Sequence, residues 1–269
     1  HFSISTNDPL ALERFTLVAG DAPSYNNLCD VDRPLQTITH IAAGWDVNFP
    51  YVPRIAVGVK HGNPCGAAVH ESTTEALRRM LEGDPLAIHG GLVMVNFPIG
   101  KGEAELLRHS GMTVGTKRLL DGVIAPSFGE GAEEELNRKG GKCRMIRNPA
   151  LAELDASSLD TAPRFRYVRG GFLRQPNYTF VPDFKDPDLE RLGATLSPAQ
   201  EQDVLLAWAI GATSNSNTIT LVRNRMLIGN GVNLFANWAL IFGHLGAPPM
   251  GVAGSAWSTV FARWVMLAV

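Results

Sequence analysis

The sequence predicts an α/β protein, and three observations carry that prediction. Short apolar runs of strand length alternate with segments of helical periodicity. Apolar residues make up 45% and charged residues 19% of the 269, the balance of a folded globular chain rather than a disordered one. The 27 glycines and 17 prolines supply the tight turns such an alternation needs. The length is that of one large domain or two ordinary ones. Lys and Arg number 24 against 26 Asp and Glu, a net charge of −2, so neither a nucleic-acid footprint nor an acidic tail is indicated. Cys29, Cys65 and Cys143 form neither a disulfide framework nor a CxxC pair, which points to a reducing, cytoplasmic setting. The opening HFSIS lacks the pattern of a signal peptide, and the absent initiator Met points to lost upstream residues.

Residues 54–59 (RIAVGV) read as a buried strand, followed by the turn-rich KHGNPCG. A helix is expected over 73–81, with Ala76, Leu77 and Met80 on one face. Strands at 91–95, 122–125 and 142–146 then alternate with helices at 103–108 and 130–138, which layers helices on a sheet. Residues 165–173 are strand-like around Gly170 and Gly171, and the charged, proline-containing 183–191 reads as a linker. Ser197 opens a helix as N-cap, with Pro198 at N1 and Gln200 at N3. Its expected apolar face is Val204, Leu205, Trp208 and Ala209. A strand at 218–222, a turn at Asn224 and Arg225 and a returning strand at 226–228 make a hairpin.

The expected organisation is a first subdomain over 1–150, the start of a second over 151–232, and an atypical apolar tail over 233–269. That tail has one charged side chain, Arg263, and three of the five tryptophans. Its last part, 251–269, has the length of a membrane helix, but Arg263 near the middle favours a buried helix or a protein interface.

Chemistry concentrates in Lys60-His61-Gly62-Asn63-Pro64-Cys65-Gly66, at the carboxyl end of the first predicted strand. That is where open α/β sheets place ligands. A lysine there is a positive point charge and the adjacent histidine titrates near neutrality, so the pair combines an electrophilic stabiliser with a general base. Burial beside the lysine would hold the imidazole neutral. The competing reading has Lys60 solvated at an edge and His61 capping the turn. A zinc deaminase site is not assembled here, because Pro64-Cys65 lacks the second thiolate and no HxE precedes it. His89, His109 and His244 have no partners at ligand spacing and read as structural.

KHGNPCGAA, together with YNNLCD at 25–30, DGVIAPSF at 121–128, YVRGGFLRQ at 167–175 and ATSNSNTITLVRNRMLIGNG at 212–231, resembles the transformylase part of the AICAR transformylase family. The order and approximate spacing of the motifs also fit, over roughly residues 20–232. The resemblance implies transfer of a formyl group from 10-formyltetrahydrofolate to the 5-amino group of the aminoimidazole carboxamide ribonucleotide in purine biosynthesis. It implies a layered cytidine deaminase-like fold in two subdomains, a homodimer, small-molecule nucleotide and folate partners, and in some members a structural potassium ion. His61 would be the base that deprotonates the amine. Lys60 would stabilise the formyl oxyanion or protonate the departing folate nitrogen, and Asn217 would orient the reacting groups. Asn27 would bond the base or carboxamide of the nucleotide and Asp121 the pterin-like end of the folate. Asn63, Pro64 and Gly90 are carried over as substrate-binding.

From the residues alone, Asn27 reads more readily as an Asx-turn residue before a helix beginning near Asp30 than as a ligand contact. Asp121 before Gly122 reads as a turn, Asn217 as a cap, and Arg169 beside its glycine pair as a bulge. The chain also departs from the family. It starts after the family's phosphate-contacting Arg-Tyr-Gly to Asn-Pro-His-Gln segment. His89 stands where the family has an aromatic, and after Gly231 the family's Gly-Gln-Gln-x-Arg and later segments are absent. The tail is then an alternative ending, a frameshifted product or a joining of separated pieces. A catalytically impaired nucleotide-binding or regulatory homologue is the alternative function.

Overall fold

The computed structural model describes residues 7–83, 88–215 and 218–228, with residues 240, 243, 246–251, 253 and 257 beyond them. Most of 233–269, including His244 and Arg263, lies outside the described residues. No helix among the described residues is long and apolar enough to cross a membrane.

Strand β1 (Thr16–Ala19) leads into helix α1 (Tyr25–Asn48), and β2 (Arg54–Lys60) turns directly into β3 (Asn63–His70). Helix α2 (Thr73–Glu82), β4 (Leu92–Val95), α3 (Lys101–His109), β5 (Gly122–Ala125), α4 (Ala132–Leu136) and β6 (Arg144–Arg147) follow in alternation. The hairpin β7 (Arg164–Val168) and β8 (Gly171–Gln175) stands apart as its own two-stranded sheet. Helix α5 (Pro198–Thr213) and the short pair β9 (Val222–Arg223) and β10 (Met226–Leu227) complete the regular structure.

The main sheet has eight strands in the order β1-β6-β5-β4-β2-β3-β10-β9. Strands β4, β5 and β6 are mutually parallel, joined through α3 and α4 as parallel strands require. The remaining pairs are antiparallel, so this is a mixed α/β sheet.

Alternation divides its side chains between two cores. Ile55, Val57 and Val59 of β2 face α1 (Ile38, Ile41, Trp45) and α5 (Leu205, Leu206, Ala209, Ile210). Ala56 of β2, Ala68 of β3 and Val93 and Val95 of β4 face α2 (Leu77, Met80), α3 (Leu107) and α4 (Leu136). The result is three layers, helix on sheet on helix. Each fully buried Leu, Ile or Val contributes about 1.5–3 kcal/mol, so a register slip of one residue would forfeit both cores together.

Several expected elements differ in extent. The stretch after Lys60 is turn only at His61 and Gly62, and from Asn63 onward it is strand. Its Gly66, Ala67 and Ala68 have low intrinsic strand preference, and pairing along the whole of β2 overrides it. The helix expected near Asp30 begins at Tyr25 and runs 24 residues. The expected 130–138 helix is a short α4, because Gly131 ahead of it is left-handed at φ 77°. On α5 the capping box of Ser197 and Gln200 is present, with Pro198 in the first turn. Its buried face, however, is Leu205, Leu206, Ala209, Ile210 and Thr213, while Val204 and Trp208 are 38% and 40% exposed. The strand expected at 218–222 is confined to Val222–Arg223.

Residues 183–191 have no regular element but are strapped to both helices. The Phe184 amide donates to Asn48 Oδ1 at 2.7 Å, Lys185 Nζ to the Val47 carbonyl at 2.9 Å, and Arg191 pairs with Glu201 at 3.1 Å. A free linker would make none of these.

Candidate active site

The two residues between β2 and β3 both have positive φ, 53° at His61 and 74° at Gly62. Two left-handed residues are what a tight two-residue hairpin needs to match the strand twist. Gly62 adopts that backbone freely, whereas His61 carries a cost of about 1–3 kcal/mol that the surroundings must hold in place. Three hydrogen bonds hold it, and the Asp30 carboxylate of α1 stands near the Gly62 amide. Asn215 Nδ2, just past α5, donates to the Gly62 carbonyl at 2.8 Å. The Asn215 amide donates to Asn63 Oδ1 at 3.2 Å, and Asn63 Nδ2 to the His61 carbonyl at 3.3 Å. The turn is thus held from the end of α5, with α1 beside it.

Behind the turn, β3 carries an extra residue. Val59 pairs with Pro64 and Gly58 with Gly66, which leaves Cys65 as a bulge, its Sγ 3.5 Å from the Gly58 carbonyl. Bulges of this kind re-aim neighbouring side chains. Lys60 is half-buried and His61 exposed. Exposure of His61 removes the desolvation that the expectation of a buried, neutral imidazole required. Lys60 makes no hydrogen bond or ion pair among the described residues, so its ammonium faces the rim uncommitted.

The rim is continued by the strands beside β2. Val59 pairs with Leu92, Leu92 with Gly122, and Gly122 with Arg144, which places Gly90, Gly91 and Asp121 in the row beside Lys60. Gly91 allows the close approach, since a Cβ there would lie 2.6 Å from the Val59 carbonyl oxygen. The rim lies at the carboxyl end of β2 but at the amino ends of the parallel β4, β5 and β6. The strand-end rule for parallel sheets, which concerns carboxyl ends, therefore does not select it.

Of the residues expected to bind or react, the structure brings Lys60, His61, Asn63, Gly90 and Asp121 to this rim. Pro64 is buried in β3, a scaffold position behind the turn. Asn27 is the third residue of α1, and its Oδ1 accepts from the Ser24 amide at 3.0 Å and the Ser24 hydroxyl at 2.9 Å in a capping box. That oxygen serves the helix start, in a reciprocal cap rather than an Asx-turn. Asp121 is ion-paired to Arg138 at 2.8 Å. Asn217 lies outside the described residues, two positions beyond Asn215. His109 bonds Glu135 at 3.0 Å, next to Lys117 at 3.1 Å, well away from the turn in sequence and fold.

Asp30, which ends the quoted YNNLCD, is a neighbour of the turn that its sequence pattern did not mark. Burial raises its carboxyl above the ordinary aspartate range; the Gly62 amide and the charge of His61 offset this in part, while Asp121 adds repulsion. Asp30, His61 and Asp121 therefore form one electrostatic group. The available signal was Pro34, four residues on, which withdraws the helix amide that would have bonded the Asp30 carbonyl. Among the described residues no three of the His, Cys, Asp and Glu side chains are grouped to hold a metal ion.

The arrangement offers a cation and an imidazole side by side on a fixed turn, with carboxylates behind them, at a solvent-open edge. Such a set can take a proton and stabilise developing negative charge in one encounter.

The chain matches the family model described as AICARFT/IMPCHase bienzyme over residues 2–234. It is 30% identical over 220 residues to the bifunctional purine biosynthesis protein PurH of Prochlorococcus marinus (strain NATL2A), covering 79% of this chain and 38% of that protein. With the protein of the same name from Anoxybacillus flavithermus (strain DSM 21510 / WK1) it shares 32% over 228 residues, 84% of this chain and 39% of the relative. With that of Synechococcus sp. (strain WH7803) it shares 33% over 218 residues, 79% of this chain and 38% of the relative. The chain thus spans less than half the length of these curated relatives. Among solved structures, Acinetobacter baumannii RibD, form 1, is similar over 47% of this chain and 37% of that one, at 14% identity and a TM-score of 0.29, too distant to assign a fold. The family match embraces the motif at Lys60–His61 and every element from β1 to β10, and the chain belongs to the AICARFT/IMPCHase bienzyme family.

Proposed function

We propose that the chain is a formyltransferase of purine biosynthesis, moving a formyl group from 10-formyltetrahydrofolate to the 5-amino group of the aminoimidazole carboxamide ribonucleotide. The single observation that carries this reading is the Lys60–His61 pair, in a chain of this family, held on a left-handed turn with the imidazole exposed. The amine is a poor nucleophile because its lone pair is delocalised into the imidazole and carboxamide. His61 takes the amine proton as nitrogen attacks the formyl carbon, Lys60 stabilises the oxyanion or protonates the departing folate nitrogen, and collapse breaks the folate N–C bond. The charge of Asp30 favours the imidazolium formed when His61 accepts that proton. Asn217 orients the reacting groups, and Asn63, Gly90 and Asp121 contact the substrates.

The reading further takes the three layers as the cytidine deaminase-like fold, the active form as a homodimer and the setting as cytoplasmic. It assigns no residues to a potassium ion and routes no step through one. A catalytically impaired nucleotide-binding homologue is the second reading, favoured by the end of the family match at residue 234. Steady-state formyl transfer, with His61→Ala as control, decides between them. Turnover that falls by about 10²–10⁴ in the variant supports the proposal. Full-rate turnover by His61→Ala removes the proposed base, and nucleotide binding without turnover by the unaltered chain favours the second reading.

A further inference from the structure

Beside the His61–Gly62 turn the hairpin β7–β8 and helix α1 enclose a cleft of about 530 Å³, lined by Arg33, Arg164, Arg166 and Arg174 with Phe165 and Leu173 among the apolar walls. Arg164 and Arg166 are two residues apart on β7 and so share one of its faces. Arg33 enters from α1, and its Cγ lies 3.9 Å from where a Cβ on Gly62 would stand.

The register pairs Arg166 with Leu173 but Arg174 with Phe165, so Arg174 lies on the other face of the hairpin. Arg33, Arg164 and Arg166 share the concavity and repel one another, and the fold supplies little to neutralise them. Arg164 donates to Asn177 Oδ1 at 2.7 Å and lies 4.0 Å from Asp32. Arg33 has only a 3.4 Å contact with Gln36. Arg166 and Arg174 have no hydrogen bond or ion pair among the described residues. Asp32 and, farther off, Asp160 are the acidic groups on this side, and Asp32 is itself bonded to Gln36. Burial and the neighbouring Arg164 push the Arg33 guanidinium below its ordinary range, the direction expected where like charges share a partly desolvated space. Planar guanidinium forks match the oxygens of phosphates and carboxylates two at a time, and three forks on one side exceed what one carboxylate can satisfy.

We infer that this cleft binds an oxyanion group bearing two or more negative charges, a phosphate ester or a run of carboxylates, through Arg33, Arg164 and Arg166. One of its walls, Arg33, stands beside Gly62 of the Lys60–His61 turn, which places the anion site next to that turn. Whether the anion binds is independent of the proposed transfer reaction; only the use made of the molecule rests on it.

Titration calorimetry of the full chain tests the inference, with sodium pyrophosphate in one arm and a triglutamate peptide in the other. At least one probe is expected to bind with submillimolar affinity that weakens as salt is raised. The arm that binds tighter identifies the source of the oxygens. The paired substitution Arg164→Gln and Arg166→Gln, on the shared face, is expected to weaken that binding by about tenfold or more, with the circular dichroism spectrum unchanged. If the pair does not fold, Arg166→Gln alone carries the test with an expected loss of about threefold or more. Absence of binding by both probes, or binding that the folded variant leaves unaltered, overturns the inference. A transfer assay that fails while pyrophosphate still binds counts against the proposed function and not against this site.

Discussion

Two tight turns at opposite ends of the sheet use the same backbone device to different effect. His61 and Gly62 join β2 to β3, Asn224 and Arg225 join β9 to β10, and all four residues have positive φ. They are far apart, because Lys60 pairs with Asn63 at one end of the β2–β3 ladder while the Arg225 carbonyl accepts from the Val69 amide near the other. A helix aspartate stands at each turn. The Asp30 carboxylate of α1 lies near the Gly62 amide, and the amides of Asn224 and Arg225 donate to Asp203 of α5. At the second turn the remaining polar groups are also engaged: Arg225 pairs with Glu71 at 2.6 Å, and the Asn224 carbonyl accepts from Arg79 at 2.9 Å. At the first turn the bonds of Asn215 and Asn63 hold the backbone, Lys60 makes no hydrogen bond or ion pair among the described residues, and His61 is exposed. Left-handed backbone alone therefore does not mark a reactive site; uncommitted side chains on a fastened backbone do.

The comparison is sharpened most by removing a cation from each turn. Lys60→Met is expected to lower formyl transfer by about 10²–10³, the loss typical of a missing oxyanion stabiliser, whereas Arg225→Met leaves the rate within about twofold. Steady-state kinetics on both variants read this directly. Next in size is the clamp of the second turn. Asp203→Ala leaves two backbone amides without a charged acceptor and is expected to cost about 2–4 kcal/mol, measured by urea unfolding. Equal transfer rates per folded molecule should accompany that loss.

Gly62→Ala comes third. Its φ of 74° is unfavourable for any side chain and the new Cβ would lie 3.0 Å from Asn215 Nδ2, so a loss of about 1–2 kcal/mol is expected. The smallest effect belongs to Asp30→Asn, which keeps the side chain's shape and removes its charge. Because burial raises the Asp30 carboxyl, the folded chain holds that proton more tightly than the unfolded one. Stability from this group is present below the unfolded pKa and is lost as pH rises through the raised folded value. Asp30→Asn should flatten that part of the stability–pH curve while leaving stability at pH 7 equal or slightly higher. A steeper curve in the variant would contradict the assigned sign.

Much of this was legible in residue order, and the reasons for the rest are specific. The strands at RIAVGV and GVIA announced themselves because buried strands read as unbroken apolar runs, and α5 because Ser197, Pro198 and Gln200 form a complete start signal. Strand β3 was hidden by Gly66, Ala67 and Ala68, whose fitness for a strand comes from β2 beside them. The apolar face of α5 was displaced because Leu205, Leu206, Ala209 and Ile210 face α1, a direction that periodicity alone did not decide when nearly every position from Val204 to Ile210 is apolar. Lys60 and His61 were found from their chemistry and the family resemblance. Asp30 and Asn215 were not, since each stands at the Gly62 backbone across a gap of more than thirty residues in the sequence. The arginine cleft escaped for the same reason: Arg33 and Arg164 belong to segments that only folding brings together.

The most direct test replaces the left-handed side chain at each turn by glycine and measures transfer and unfolding on the same preparations. Both His61→Gly and Asn224→Gly relieve the positive φ, so each is expected to leave stability equal or raise it by up to about 1 kcal/mol. Only His61→Gly is expected to lose formyl transfer, by about 10²–10⁴. Transfer at the unaltered rate in His61→Gly, or an equal loss in Asn224→Gly, would contradict the assignment of the Lys60–His61 turn as the reactive one.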